Sequence, residues 1–327
     1  MTTHLVTGGA GFLGSNLAEA LLKRGDRVIV LDNFLIGSRD NLVDLPQEHL
    51  TVIDWDIRRP LTEILNSEFR IQNSGIDTIW NLACIASPVH YTQWPIETIE
   101  TNTLGIPNVL KFALETGAKV LHTSTSEVYG DPKEHPQQES YWGNVNTRGS
   151  HAMYKESKRV GETIVTFYAK VHPKLDIRMV RIFNTYGPKM ALDDGRMLGE
   201  FLHRALTNQP IEVHGDGNQT RSTCYVADLI AGLLAMMAAG DSARNELVNL
   251  GNPDEHTVQD CAETVVRLVG QGSIEHVTAR SDDVKRRCPD ISKAKTLLGW
   301  QPTVTLEDGL TRTIEWMKEK LVAKKIS

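Results

Sequence analysis

Short apolar runs and amphipathic stretches alternate through the first half of the chain. The runs HLVTG (4–8), RVIVLD (27–32), LTVIDWD (50–56), IDTIWNLA (76–83), KVLHTST (119–125) and IRMVRIFN (177–184) are short and rich in aliphatic and β-branched residues, which predicts strands. Residues 12–24 carry apolar side chains at 13, 17, 20 and 21, one face of a helix. Helical patterns recur near 61–70, 95–116 and 150–170. Strands spaced by helices call for right-handed crossovers, hence a parallel sheet with helices on both faces. After residue 186 the rhythm shortens. Helices are predicted at 196–208, 227–238, 257–269 and 306–322, and strands near 211–214, 246–250 and 274–278. The pattern divides the chain into a sheet domain, 1–186, and a smaller lobe, 187–327, some of whose segments return to the first domain. Such a lobe lies over the carboxyl ends of the strands, where open α/β sheets bind ligands.

The first strand runs into TGGAGFLGS, which spaces Gly8, Gly11 and Gly14 as GxxGxxG at the start of a helix. Glycines there allow a tight turn and close backbone approach to a pyrophosphate, whose charge the helix N-terminus stabilises. Phe12 and Leu13 lie within the same loop. Asp32, at the end of the second strand, is placed to accept from an adenosine ribose, with Asn33 beside it. Its charge would repel a 2′-phosphate, so NAD is expected over NADP. Asp56 and Ile57 either flank the adenine or are loop residues. Leu82 and Ala83 either line the cofactor or are core. The expected architecture is a Rossmann-type doubly wound parallel sheet that binds NAD, with a smaller mixed α/β substrate lobe.

Composition narrows the function by exclusion. A net charge of −6 gives no basic field to draw nucleic acid or an acidic membrane. The four cysteines are widely spaced without CxxC, and the eleven histidines show no HxxxH or HExxH, so no metal site is predicted. MTTHLVTGG enters a strand pattern at once, leaving no room for a signal peptide, and no apolar run approaches the roughly 20 residues that span a bilayer. A cytoplasmic protein is expected.

Tyr154 and Lys158, in MYKESK, are four residues apart on a predicted helix and share one face. A free phenol, with a pKa of about 10, is too weak an acid to act as a base at neutral pH. A lysine ammonium and an oxidised nicotinamide both favour the phenolate. Thr125, at the end of the fifth strand, could hydrogen-bond the same substrate oxygen. Lys155 and Glu156 read as solvated neighbours.

The order TGGAGFLG, STSEVYG, YxxxK resembles the extended short-chain dehydrogenase/reductase superfamily. ASPVHY (86–91), STSEVYGDP, SYWGNVN (140–146), RIFNTYGP (181–188), DDGR (193–196), GNPDEHT (251–257) and RRCPDISKAKTLLGWQP (286–302) resemble the UDP-glucuronate decarboxylase family over nearly the whole chain. That resemblance implies NAD-dependent conversion of UDP-glucuronate to UDP-xylose through a 4-keto intermediate, with the cofactor recycled. Sugar-nucleotide 4-epimerases and 4,6-dehydratases share the glycine loop and YxxxK and form the alternative.

The resemblance also distributes roles. Ser126 and Glu127 stand where the family acts on the carboxylate-bearing carbon. There Glu127 orients the carboxylate, relays a proton to C5, or merely caps a turn. Arg287, preferred by register over Arg286, matches an arginine near the substrate carboxylate and phosphates. Arg196 and Arg221 match positions near the diphosphate, unless they are solvated. Asn108 and Asn184 match polar contacts to the sugar nucleotide, whereas Asn102 reads as structural. Tyr91 closes on the sugar or anchors its loop. A homodimer through helices 95–116 and 150–170 is implied. Two departures fall near the substrate. VNTRGSH puts His151 where the family has arginine, and DDGRMLGEF puts Glu200 where it has asparagine.

Overall fold

The computed structural model describes residues 1–65, 75–192, 195–278, 284 and 286–326. Residues 66–70 of the predicted helix 61–70 and the two aspartates of DDGR lie outside the described residues.

Six strands appear where the apolar runs lie: β1 (Thr3–Thr7), β2 (Arg27–Asp32), β3 (Leu50–Asp54), β4 (Thr78–Asn81), β5 (Lys119–Thr125) and β6 (Ile177–Ile182). Five shorter strands follow before the last three: β7 (Thr185–Tyr186), β8 (Ile211–His214), β9 (Thr220–Ser222), β10 (Cys224–Tyr225) and β11 (Leu247–Leu250). The last three are β12 (Glu255–Thr257), β13 (Ile274–Val277) and β14 (Arg286–Arg287). The central sheet has seven strands in the order β3-β2-β1-β4-β5-β6-β11. Every pairing in it is parallel. The order reverses between β1 and β4, and that switch point is where a doubly wound sheet opens a ligand crevice. The strand β11, far along the chain, completes this sheet, so the second lobe does return to the first.

Helices cover both faces: α1 (Phe12–Lys23), α2 (Thr62–Leu65), α3 (Pro88–Gln93), α4 (Pro95–Glu100), α5 (Ile106–Thr116) and α6 (Ala152–Val171), then α7 (Met197–Leu206), α8 (Val226–Ala238), α9 (Val258–Val269), α10 (Ser292–Leu298) and α11 (Leu306–Ile326). In α1, Leu17, Ala18, Leu21 and Leu22 form the buried stripe against the sheet. Each fully buried leucine there contributes about 1.5–3 kcal/mol. The long helix α6 buries Tyr154, Ser157, Lys158, Gly161 and Val165, one face at steps of three and four. Gly161 lets that face sit close to α5, since a Cβ there would lie 2.7 Å from Ile106 Cδ1. The predicted helix 95–116 is instead three pieces: α4, a π-helical turn Thr101–Gly105, and α5. Pro107 stands at the start of α5, where it demands no hydrogen bond of its own.

In the second lobe, β9 runs antiparallel to β12 and parallel to β14. These strands of two and three residues are too short for periodicity to mark them. The register pairs Arg287 with Arg221, which brings two arginines from distant sequence positions side by side.

Candidate active site at the carboxyl ends of the strands

Two adjoining cavities open at the crevice. The larger, about 690 Å³, runs from the glycine loop to Tyr154. The smaller, about 220 Å³, lies between α6 and the second lobe. Tyr91, Glu127, Asn184 and Arg196 line both.

The glycine loop is built for close backbone approach. Gly8 has φ +68°, in the left-handed region, and a Cβ on it would lie 2.7 Å from Ala83 Cα. A Cβ on Gly14 would collide with the Gly8 carbonyl. Asp32 is buried at the end of β2 and accepts from Ala10 N and Phe34 N, both at 2.9 Å. Burial pushes its carboxyl up, and those two bonds offset part of that. Each oxygen keeps a lone pair for a ribose hydroxyl. Phe12, Leu13, Asn33, Asp56, Ile57, Leu82 and Ala83 all line the same cavity. The Asn33 amide donates to Asp56 at 3.1 Å, and Arg58 holds that carboxylate at 2.7 Å. Burial alone would raise Asp56, but the bonds from Arg58 and Asn33 keep it below the usual carboxylate range. The cradle, the buried acid and the apolar walls fit a dinucleotide.

At the far end of this cavity, β5 finishes with Thr123, Ser124 and Thr125 and turns into a short 3-10 segment, Ser126–Tyr129. Thr125 caps that turn, accepting from Glu127 N at 3.2 Å, and its side chain works to lower the Tyr154 phenol. Lys158 is buried and donates to Thr123 O at 2.9 Å, which anchors the ammonium one helical turn from Tyr154. Burial pushes the Tyr154 phenol strongly up, with Cys84 adding to it, and Thr125 and Arg196 oppose the rise. Tyr154 is therefore a phenol in the free protein. Lowering it to a working base takes the added positive charge of a nicotinamide beside Lys158. His122, behind Lys158, is held neutral by burial and by that ammonium.

Ser87 and Pro88 start α3, with the Ser87 hydroxyl accepting from His90 N. This short helix lays Tyr91 on Tyr154 at 5.1 Å and 10° between ring planes, and His151 meets Tyr91 edge-on at 5.1 Å.

The smaller cavity is cationic. Arg287 is buried and donates to Glu127, while its Nε is buried with no hydrogen-bond partner among the described residues. Burial works to raise the Glu127 carboxyl, but Arg287, Lys155 and His151 together hold it below the usual range. Glu127 is thus ionised at neutral pH. Ser126 faces the larger cavity, and Arg221 the smaller. Arg196 reaches Ala86 O at 3.3 Å.

Among the other singled-out residues, Asn108 and Lys155 depart from expectation. Asn108 lines neither cavity. Its amide donates to Ile57 O and Arg58 O at 3.0 and 2.9 Å, tying α5 to the loop after β3. Arg286 is exposed and directed to His135 at 2.7 Å and Glu255 at 3.3 Å, outside both cavities. Asn102 is buried and donates to Ser157 Oγ at 3.0 Å, a helix-to-helix tie. Glu200 faces along its own helix and pairs with Arg204 at 2.7 Å, so it adds no charge to the cavities. Lys155 is no solvated neighbour, because its ammonium lies 3.7 Å from Glu127 on the wall of the smaller cavity. Sequence reasoning also passed over Cys84, Met190 and, from α11, Trp316 and Lys320, which line the larger cavity. The signal for Lys155 was present, since 151, 154, 155 and 158 share one helical face. For α11 there was none. Among the described residues, His135, Glu255 and Cys288 bring three ligand-type atoms within 4.8 Å, but Arg286 already occupies His135 and Glu255 there.

This sheet and site define a dinucleotide-dependent enzyme acting on a phosphorylated sugar, and the comparisons agree. The chain belongs to the NAD dependent epimerase/dehydratase family, whose profile matches residues 4–251. It is 45% identical over 323 residues to UDP-glucuronic acid decarboxylase 1 of Arabidopsis thaliana, covering 97% of this chain and 70% of that protein. It is 44% identical over 319 residues to UDP-glucuronic acid decarboxylase 1 of Xenopus tropicalis, covering 97% and 72%. Among solved structures, a dTDP-glucose 4,6-dehydratase from Streptomyces venezuelae with NAD bound superposes with a TM-score of 0.86 at 29% identity, covering 98% of each chain.

Proposed function

We propose that this chain decarboxylates UDP-glucuronate to UDP-xylose, with NAD recycled in each turnover. The observation that carries the reading is the position of Glu127. It sits two residues from Thr125, lines the same cavity as Thr125 and Tyr154, and is held by the buried Arg287. Redox tyrosine and carboxylate-binding cations therefore meet at one point.

The glycine loop and Asp32 would hold NAD, which would supply reversible hydride acceptance at C4 with no net redox change. Tyr154 takes the proton from the sugar 4-OH and later returns it, with Thr125 orienting the oxygen and Lys158 supplying positive charge. Once C4 is a ketone, the C6 carboxylate hangs from C5, β to it. The C5–C6 electron pair moves into the ketone as CO2 leaves, and an enolate remains. Protonation at C5 restores the ketone. Glu127, ionised in the free protein, orients the carboxylate and must itself collect a proton before it can relay one to C5. Arg196, Arg221 and Arg287 suit diphosphate and carboxylate oxygens, because a guanidinium binds such groups through two parallel donors.

The test incubates purified protein with NAD and UDP-glucuronate and follows CO2 and the nucleotide product by chromatography. CO2 with a UDP-pentose is expected. A C4-epimerised acid formed without CO2 would overturn the reading.

A homodimer is part of the proposal. Ile96 and Ile99 on α4, Leu104 on the π turn, and Val160, Phe167 and Val171 on α6 are exposed, and α4 packs on α6. Sedimentation of a monomer at micromolar concentration would exclude it. A reducing, cytoplasmic setting is proposed from the four unpaired thiols, three of them buried; fractionation tests it.

A further inference from the structure

Lys155 does something the redox chemistry does not require. It follows Tyr154 on α6, yet its side chain is only 16% exposed and faces the smaller cavity. Its ammonium lies 3.7 Å from one oxygen of Glu127, while Arg287 bonds the other oxygen from the opposite lobe. At 3.7 Å the attraction is Coulombic rather than a hydrogen bond, so the ammonium keeps donors for an incoming oxygen.

The charge count gives this a purpose. Among the described residues lining the smaller cavity, Lys155, Arg196, Arg221 and Arg287 are positive and Glu127 alone is negative, a surplus of three. A UDP-sugar acid carries three negative charges, two on the diphosphate and one on the carboxylate. Without Lys155 the surplus falls to two, which a diphosphate alone balances. We propose that Lys155 is a second carboxylate-binding residue, beside Arg287, and that it sets the preference of this site for a UDP-sugar acid over a UDP-sugar whose sugar is uncharged. This rests on the decarboxylase reading for the identity of the ligand.

The test compares Lys155→Met and Lys155→Arg, each with NAD and in a Tyr154→Phe background so that ligand is not consumed. Calorimetry gives the affinities for UDP-glucuronate and UDP-glucose. The methionine variant should weaken UDP-glucuronate by about ten- to a hundredfold, the range for losing one hydrogen bond to a charged group, and leave UDP-glucose within about twofold. Arginine should restore most of the difference. Equal weakening of both ligands would mean a structural role and overturn the inference, as would no change in either. Unchanged UDP-glucose binding reports an intact pocket, and Lys155→Gln carries the same readout if the methionine variant is insoluble. CO2 release is measured separately in the otherwise native enzyme. No CO2 together with a Lys155-dependent preference sinks the decarboxylase reading alone. CO2 without that preference sinks this inference alone.

Discussion

Replacing Arg287 with methionine tests the centre of the carboxylate site. The substitution keeps the length of the buried stem and removes the guanidinium bonded to Glu127. Breaking a buried ion pair by deleting one partner typically costs about 3–5 kcal/mol. Here two relaxations limit the loss. Lys155 stays 3.7 Å from the carboxylate. Glu127 can also take up a proton. For a carboxyl at its ordinary value of 4.5, protonation at pH 7 costs about 3.4 kcal/mol, which caps the penalty. The expected destabilisation is about 1–3 kcal/mol, measured by urea unfolding with NAD present. Adding Glu127→Gln removes the stranded charge, so the double variant should recover about 1–2 kcal/mol of that loss. Decarboxylation should not recover, because the transition state loses its charge stabilisation; a fall of about 10²–10³ is expected in both variants. A coupling energy below about 0.5 kcal/mol, with CO2 release within tenfold of the unmutated enzyme, would refute the pairing as the basis of the site.

Other outcomes follow from the same geometry. Tyr154→Phe should lower kcat by about 10²–10⁴ while NAD affinity, read by calorimetry, holds; full activity would remove Tyr154 from its role. Gly8→Ala should abolish NAD binding, because a Cβ would meet Ala83 at 2.7 Å and φ is +68°; normal cofactor affinity would show that the loop tolerates displacement. The folded Glu127 carboxyl lies below its ordinary 4.5, so its pairing stabilises the fold fully above that pH and fades as pH falls through the folded value. In Arg287→Met the largest force holding it down is gone and burial still pushes it up, so the folded value moves toward or above the ordinary one. The share of the acid-side stability loss that Glu127 carries should therefore shrink in that variant, and an unchanged acid-side loss would contradict the assignment.

The sheet was legible because buried parallel strands read as continuous apolar runs, and β1 to β6 fall on such runs. The glycine loop, Asp32, Tyr154 and Lys158 were legible for a related reason. Each lies next to a strand end or on a strong helical pattern, so local sequence already places it. The second lobe was harder. Strands of two or three residues, such as β9 and β14, carry no period, and only their pairing puts Arg221 beside Arg287. Asn108 shows the opposite error. A polar residue in a matching stretch looked like a ligand contact, but its amide goes to two loop carbonyls after β3, Ile57 O and Arg58 O. Lys155 was misread because charge alone suggests solvent, whereas the face it shares with Tyr154 turns inward.

The two halves of the chemistry rest on different lobes. Thr125, Tyr154 and Lys158 come from β5 and α6, elements of the central sheet domain, and in the proposed mechanism they act at C4. Arg221 and Arg287 come from the β9–β14 ladder, and in the proposed mechanism they act on charge at C6 and the phosphates. Glu127 joins them, since it leaves β5 only two residues after Thr125 and ends on Arg287. In the proposed mechanism the cofactor is held by the glycine loop and Asp32, in the same domain as the first set. Substitutions in β14 should therefore spare NAD affinity and oxidation at C4 while stopping CO2 loss, so that a 4-keto acid accumulates with NADH. Substitutions at Tyr154 should stop both. A β14 variant that loses NAD binding along with decarboxylation would show that the lobes are not separable in this way.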